Sequence, residues 1–375
     1  MDLSLEDALR INVLLASPIQ AVRIDESSMT LYALSEKGEA RVRLNPNCRD
    51  ETYLRRVREA LSSHVLGSPG GYPVYLKRWT RMGQTRHGML ESLLLLGEPE
   101  AVVAVVNASG GVTDEIARRA WWASQTAENA RCMLAQDEVV KGDMGPVLAE
   151  FLVEFLPFET EARDMIASVR LVLQSGLISE TTRNELWNRG RHKNAYYVGF
   201  LQAVPDALPV GARPHPAWGE IRGQLTELTR IGNPYALQFC RLLGSEGQAF
   251  LETVEMVLEK PSNQDVVVSL LHAIAAYFRP IRVQESACRT MDDILAATDR
   301  LVAGASVPGH PLDDLLCRVP AMETKVHAML ILSLVDEPLV DPIFSRTDAI
   351  GTVMRRKLKP LFDPLQRYID RLRDR

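Results

Sequence analysis

A chain of 375 residues with 46% hydrophobic and 24% charged residues has enough apolar material for a sizeable core, which excludes a disordered or fibrous protein. Its net charge of −5 hides a segregation: residues 1–88 carry 13 Lys/Arg against 10 Asp/Glu, residues 346–375 carry 9 against 4, and the rest carry 21 against 34. Basic ends on an acidic body bear on partners and solubility rather than on fold.

No apolar run approaches the ~20 residues that span a bilayer. The longest patches, such as Ala101–Val106 and Val266–Phe278, are helix-length and broken by polar residues. The start, Met1-Asp2-Leu3-Ser4-Leu5-Glu6-Asp7, lacks the basic segment and apolar stretch of a signal peptide, so a cytoplasmic location is expected. The five cysteines (Cys48, Cys132, Cys240, Cys288 and Cys317) are far apart, odd in number and never in Cys-x-x-Cys. Neither a disulfide framework nor a structural zinc site is expected, and no cofactor.

Residues 1–85 read as a small α+β domain. Leu5–Leu15 has helical spacing and ends before Ser17-Pro18. Three strand-like runs follow, Ala21–Ile24, Met29–Leu34 and Ala40–Leu44, joined by short turns into a meander. The spacing then predicts a helix over Asp50–Val65, with Leu54, Val57, Leu61 and Val65 on one face and Gly67 placed to end it. Gly67–Pro73 reads as a turn: Pro69 and Pro73 remove N–H donors that a phosphate cradle needs, and no Gly-Lys-Ser/Thr follows. Val74–Trp79 alternates like a further strand.

From residue 86 to 375 the patterning is helical. Pro146 opens a run whose apolar face is Val147, Leu148, Phe151, Leu152, Phe155 and Leu156, and Pro157 stops it. Ala162, Met165, Ile166, Val169, Val172 and Leu173 form the next stripe, with Gly176 as a C-terminal cap. Ser245 and Gln248 resemble a capping box, and Ser262 precedes a helix, Asp265 to Phe278, that is apolar nearly all round and so expected to be central. Residues 205–216 hold four prolines and form the clearest internal break. Leu361, Phe362, Leu365, Tyr368, Ile369 and Leu372 predict a docked amphipathic helix at the basic end. The expected class is α+β: a small N-terminal antiparallel-sheet unit followed by a large all-α region of stacked helices. That region is either a HEAT-like solenoid or an irregular helical domain.

Candidate sites are few. Cys48 precedes a helix beside Arg49, a setting that lowers a thiol pKa, and is the candidate reactive thiol. Asp50 opposes thiolate formation and the sequence supplies no base, so an inert cysteine is the alternative. The other cysteines lie in apolar helical settings and are expected in the core. Two basic clusters surround aromatics: Lys77, Arg78, Arg81, Arg86 and His87 around Trp79, and Arg183, Arg189, Arg191, His192 and Lys193 with Trp187, Tyr196 and Tyr197. Such clusters can neutralise phosphates and stack bases. They can equally be inward-packed aromatics with solvated cations. Arg355, Arg356, Lys357 and Lys359 form a third basic group able to contact RNA. Glu323 and His327 have helical metal-ligand spacing, but one pair without further ligands reads as a surface ion pair. No hydrolase elbow, HExxH or nucleotide fingerprint is present.

The stretches NPNCRDETYLRRVREALSSHVLGSPGGYPVYLKRWTRMGQ, GPVLAEFLVEFLPFE and RNELWNRGRHKNAYYVGFL resemble the DsrS family, most clearly from Ala21 to about Leu201. Members of that family are soluble cytoplasmic proteins encoded with the Dsr proteins of sulfur-oxidising bacteria. The resemblance implies a role accessory to that pathway and carries over no catalytic residue. The paired-cysteine persulfide site that such an accessory could carry is absent from this sequence. The expectation is a non-enzymatic interaction or regulatory protein with protein partners in the sulfur-oxidation machinery. The alternatives are an RNA-binding regulator of the pathway and a single-cysteine sulfur carrier using Cys48.

Overall fold

The computed structural model describes residues 3–67, 87–108, 110–282, 288–305, 309–346 and 351–374. The chain falls into two compact units, Met1–Phe155 and Leu156–Arg375, so the switch from sheet to helix lies within the first. Val74–Trp79 and the turn beyond Gly67 lie outside the described residues.

The first unit opens with α1 (Leu5–Leu15), capped by Ser4, whose Oγ accepts the Asp7 N–H at 3.2 Å. Strands β1 (Ile19–Asp25), β2 (Thr30–Ser35) and β3 (Gly38–Arg43) form an antiparallel sheet in that order. α2 (Asp50–Leu66) follows and ends at Gly67, whose φ of +65° is the left-handed conformation that glycine adopts without a Cβ clash. Then come α3 (His87–Leu93), α4 (Pro99–Val106), α5 (Asp114–Ala123), α6 (Ala127–Leu134), α7 (Asp137–Val140) and α8 (Met144–Phe155). Among the described residues this is the only sheet, and everything after it is helix or connection.

The strand register places Val22, Ala33 and Ala40 in one row and Ile24, Leu31 and Val42 in the next, on the same face. That face packs on Ile11, Leu14 and Leu15 of α1 and on Tyr53, Leu54, Val57 and Leu61 of α2. On the opposite face Arg23 is held between the rings of Tyr32 and Trp122, 4.8 Å from each, while Glu39 accepts from Arg23 (3.1 Å) and from Trp122 Nε1 (3.0 Å). Arg118 and Arg119 of α5 both bind Glu115, and Arg118 also reaches Gln20 of β1 at 3.1 Å. One carboxylate lies inside the first unit. Asp7 is fully buried; its Oδ2 accepts the Tyr53 hydroxyl and, at 2.7 Å, the Asn45 N–H. Burial and the neighbouring Asp7 carboxylate push the Tyr53 phenol above its usual pKa.

Among its described residues the second unit is helical apart from its connections. Its α-helices are α9 (Ala162–Val172), α10 (Glu180–Arg189), α11 (Ala195–Ala203), α12 (Trp218–Gln224), α13 (Thr226–Arg230), α14 (Pro234–Leu243) and α15 (Ser245–Glu259). They continue with α16 (Gln264–Tyr277), α17 (Met291–Ala305), α18 (Pro311–Arg318), α19 (Glu323–Ser333), α20 (Asp341–Phe344) and α21 (Gly351–Arg373). The apolar α16 is central as expected, packing against α9, α11, α15 and α19. Gly199 of α11 sits where a Cβ would meet Val169 of α9 at 2.7 Å, which explains a glycine inside that helix. Arg241 of α14 binds Asp206 with two 2.7 Å bonds, donates to the Tyr277 carbonyl at 3.0 Å, and lies 3.8 Å over the Tyr277 ring. The proline-rich stretch is therefore fastened inside this unit: besides Asp206, His215 is buried and its N–H bonds the Leu243 carbonyl at 2.9 Å.

The amphipathic helix at the basic end docks as expected. Met354, Leu358, Leu361, Phe362, Leu365, Ile369 and Leu372 are buried, while Arg373 binds Glu252 at 2.8 Å and also pairs with Glu255. It packs on α15 and α19, a reach that a stack of neighbour-only repeats does not make. Three expected caps are placed differently. Gly244, not Ser245, caps α15, because Gln248 turns away to donate to the carbonyls of Leu242 and Leu372 at 3.1 and 3.2 Å. Asn263, not Ser262, caps α16, its side chain accepting from the Val266 N–H while Ser262 bonds Asn194. Leu173, not Gly176, closes α9. In α8, Val147 and Phe155 are exposed, so its buried stripe is narrower than expected.

Two outcomes follow from these buried polar contacts. Replacing Tyr53→Phe leaves Asp7 short of a donor and should destabilise the first unit by roughly 1–3 kcal/mol, read as faster amide exchange along α2. His215 is pushed below its ordinary pKa chiefly by burial, aided by Lys325 and opposed by Asp374, whose Oδ2 is 2.6 Å from Nε2. A depressed histidine contributes stability that is full above its unfolded value near 6.5 and is lost as pH falls through its folded value. The urea midpoint should therefore drop between about pH 7.5 and about pH 5.5, and drop less in His215→Gln.

Candidate functional site

The two edges of the sheet differ. On β1 the outward Val22 N–H bonds the Leu94 carbonyl at 2.8 Å, while the outward groups of Ile24 bond no described residue. On β3 the pairing with β2 runs from Ser35↔Gly38 to Thr30↔Arg43, closed by a two-residue turn and continued by the Leu44 N–H to the Met29 carbonyl. Antiparallel pairs alternate, so Gly38, Ala40 and Val42 bond β2, and the backbone N–H and C=O groups of Glu39, Arg41 and Arg43 point outward. None of these outward groups bonds another described residue.

A groove lies on each side of this edge. One, of about 480 Å³, runs between α1 and β3, lined by Leu9, Arg10, Val13, Leu14 and Ser17 with Arg41, Val42 and Arg43. The other, of about 1020 Å³, is polar and carries Ser27, Ser28, Thr30, Tyr32, Asn45 and the same two arginines. Arg41 and Arg43 are exposed and form no ion pair with a described residue. The outer face of α1 adds an apolar stripe: Leu5, Leu9 and Val13 are 93%, 66% and 63% exposed. Such a stripe costs free energy in water.

The basic clusters read from the sequence fare differently. Lys77, Arg78, Arg81, Trp79 and Arg86 lie outside the described residues, as does the side chain of His87. In the second cluster the aromatics turn inward: Trp187, Tyr196 and Tyr197 are buried, with Trp187 4.7 Å from the Tyr197 ring and 5.1 Å from Phe200. Bases cannot stack on rings that are already packed. Burial raises both tyrosine pKa values, with Arg189 against Tyr196 and Arg191 against Tyr197 pulling the other way. Lys193 donates to the Glu159 carbonyl at 3.3 Å. Arg355, Arg356 and Lys359 line a groove of about 440 Å³ with Leu258, Glu259 and Phe362. Arg355 touches only Thr352 Oγ1 (3.0 Å), and none of the three, nor Lys357, pairs with a described carboxylate.

Cys48 is half-buried against the α1–α2 core, with Arg56 rather than Arg49 donating to its Sγ at 3.5 Å. Cys317, expected in the core, is exposed on α18. Its helix is amphipathic, with Leu312 and Leu315 buried, and Cys317 falls on the wet side. Burial pushes the Cys240 thiol up to about 11 and also raises Cys132. His327 approaches Asp299 at 3.7 Å rather than forming a site with Glu323, and no group of three metal-ligating side chains occurs among the described residues. No described helix is long and apolar enough to cross a membrane.

No family model, no curated protein and no solved structure matches this chain. The β3 edge escaped the sequence reading, yet a signal for half of it was present. α1 carries two apolar stripes, and a three-stranded sheet can cover only one.

Thiol reactivity follows exposure and thiolate fraction. Under limited alkylation of the folded protein, read by peptide mass, Cys317 and Cys48 should label before Cys132, and Cys240 last.

Proposed function

We propose that the chain is a non-enzymatic accessory or regulatory interaction protein of cytoplasmic dissimilatory sulfur oxidation. The observation that carries the interaction reading is the β3 edge, which pairs with no described residue, beside the exposed Leu9 and Val13. The sulfur-oxidation context rests on the resemblance of residues 45–84, 145–159 and 183–201 to the DsrS family. Pull-down with the full chain from sulfur-oxidising cells should recover enzymes of that pathway. Recovery of none of them, with the bait folded, would remove the reading.

Arg355, Arg356 and Lys359, which pair with no described carboxylate, favour a second reading, an RNA-binding regulator of the pathway. Removing one cation from a phosphate lowers the logarithmic salt slope of single-strand binding by roughly 0.7. On this second reading, Arg355→Ala, Arg356→Ala and Lys357→Ala together flatten the slope by about 2 in filter binding to pathway messenger RNA. The first reading expects no measurable retention at physiological salt, because 34 acidic against 21 basic residues between the two basic ends repel a polyanion.

A further inference from the structure

We propose that the edge of β3, which pairs with no described residue, takes an extended segment of a partner protein as a fourth strand, and that this segment alternates acidic with apolar side chains. The inference rests on the interaction reading and gives it a site and a partner chemistry. Three outward residues, Glu39, Arg41 and Arg43, offer main-chain donors and acceptors to an incoming strand.

Side chains of an added strand point alternately to the two faces of the sheet. On one face they meet Val42, Leu9 and Val13; on the other they meet Arg41, Arg43 and Tyr32. The first set must be apolar to gain from burial. The second set must be acidic, because two exposed guanidiniums that pair with no described residue lie two residues apart on one strand, the spacing of carboxylates on alternate strand positions. From Leu5 to Val13 the α1 stripe spans about 12 Å, which covers about four strand residues. Glu39 continues the arginine face but is tied to Arg23 and Trp122, so the acidic positions belong at the Arg41–Arg43 end.

Charged side chains on an edge can serve only to prevent self-pairing. That role leaves the adjacent stripe unexplained, since exposed Leu5, Leu9 and Val13 make the edge more adhesive rather than less.

The probe is a synthetic peptide of about eight residues alternating glutamate with valine and leucine. Its control has the same composition with the glutamates grouped at one end. The alternating peptide should bind the full-length protein at least about 10-fold more tightly than the control and weaken with salt. It should slow amide exchange at Glu39, Arg41 and Arg43. Ala40 and Val42, already bonded to β2, should change little. Arg41→Glu with Arg43→Glu should weaken the peptide by about 10-fold or more; both sites are exposed, so the fold is kept. Equal binding of the two peptides, no binding of either, or slow exchange at Glu39, Arg41 and Arg43 before any peptide is added would each overturn the proposal. Pull-down with the double variant alongside the natural chain separates the two levels. Equal capture of pathway proteins by both removes the β3 site and leaves the interaction reading standing. Capture by neither removes the interaction reading itself, and loss in the variant alone supports both.

Discussion

The buried carboxylate of Asp7 decides how the first unit presents itself. Hydrophobicity alone leaves α1 two ways to lie on the sheet, because Ile11, Leu14 and Leu15 form one apolar stripe and Leu5, Leu9 and Val13 form another. At about 100° per residue, Asp7 falls between Leu14 and Ile11 on the helix wheel and opposite the second stripe. A carboxylate can enter a core only where donors await it. The Tyr53 hydroxyl and the Asn45 N–H are those donors, one from α2 and one from the segment leaving β3. The polar contact thus selects the orientation that hydrophobic burial does not, and it is this selection that leaves Leu5, Leu9 and Val13 facing outward.

The second unit shows the same division of labour. Its central helix α16 is apolar except for one narrow stripe, Asp265, Ser269, His272 and Ala276, which faces out. Register comes from polar ties at its ends: Asn263 at the start, and at the finish the Tyr277 carbonyl taken by Arg241, with Tyr277 stacked 3.8 Å from Phe250. The last helix is held in the same way. Its apolar face supplies the burial, while Arg373 with Glu252 and Glu255, and Gln248 with the Leu372 carbonyl, fix where along α15 it rests. Removing one partner of such a tie costs more than the bond contributes, because the other is left buried and unpaired.

Much of the fold was legible because it depends on local period. The bounds of α1, the three-stranded meander, α2 with Gly67 and the docked terminal helix all follow from apolar spacing and a few breakers. The caps of α15 and α16 were not legible. Neighbouring residues of similar capping ability compete, and the choice depends on distant partners such as the Leu372 carbonyl for Gln248 and Asn194 for Ser262. The β3 edge was hidden for a related reason. Alternation reveals that a segment is a strand and which face is wet, but not whether another backbone lies beside it. Nothing in the sequence of β1 or β3 says that Leu94 bonds the former.

The two basic groups without a described ion-pair partner differ in what they offer a ligand, and the difference weighs the two proposed readings. On α21 the helix satisfies its own backbone, so Arg355, Arg356 and Lys359 offer side-chain charge alone. Charge alone attracts any polyanion and discriminates poorly among them. On β3, Arg41 and Arg43 stand over main-chain groups that bond no described residue, beside an apolar wall supplied by Leu9 and Val13. The ligand proposed above, an extended polypeptide with carboxylates at alternate positions, would meet all three. Nucleic acid has the charge but cannot continue the ladder, and a free anion has neither backbone nor apolar side chains. The more specific of the two surfaces is therefore the one that calls for a protein.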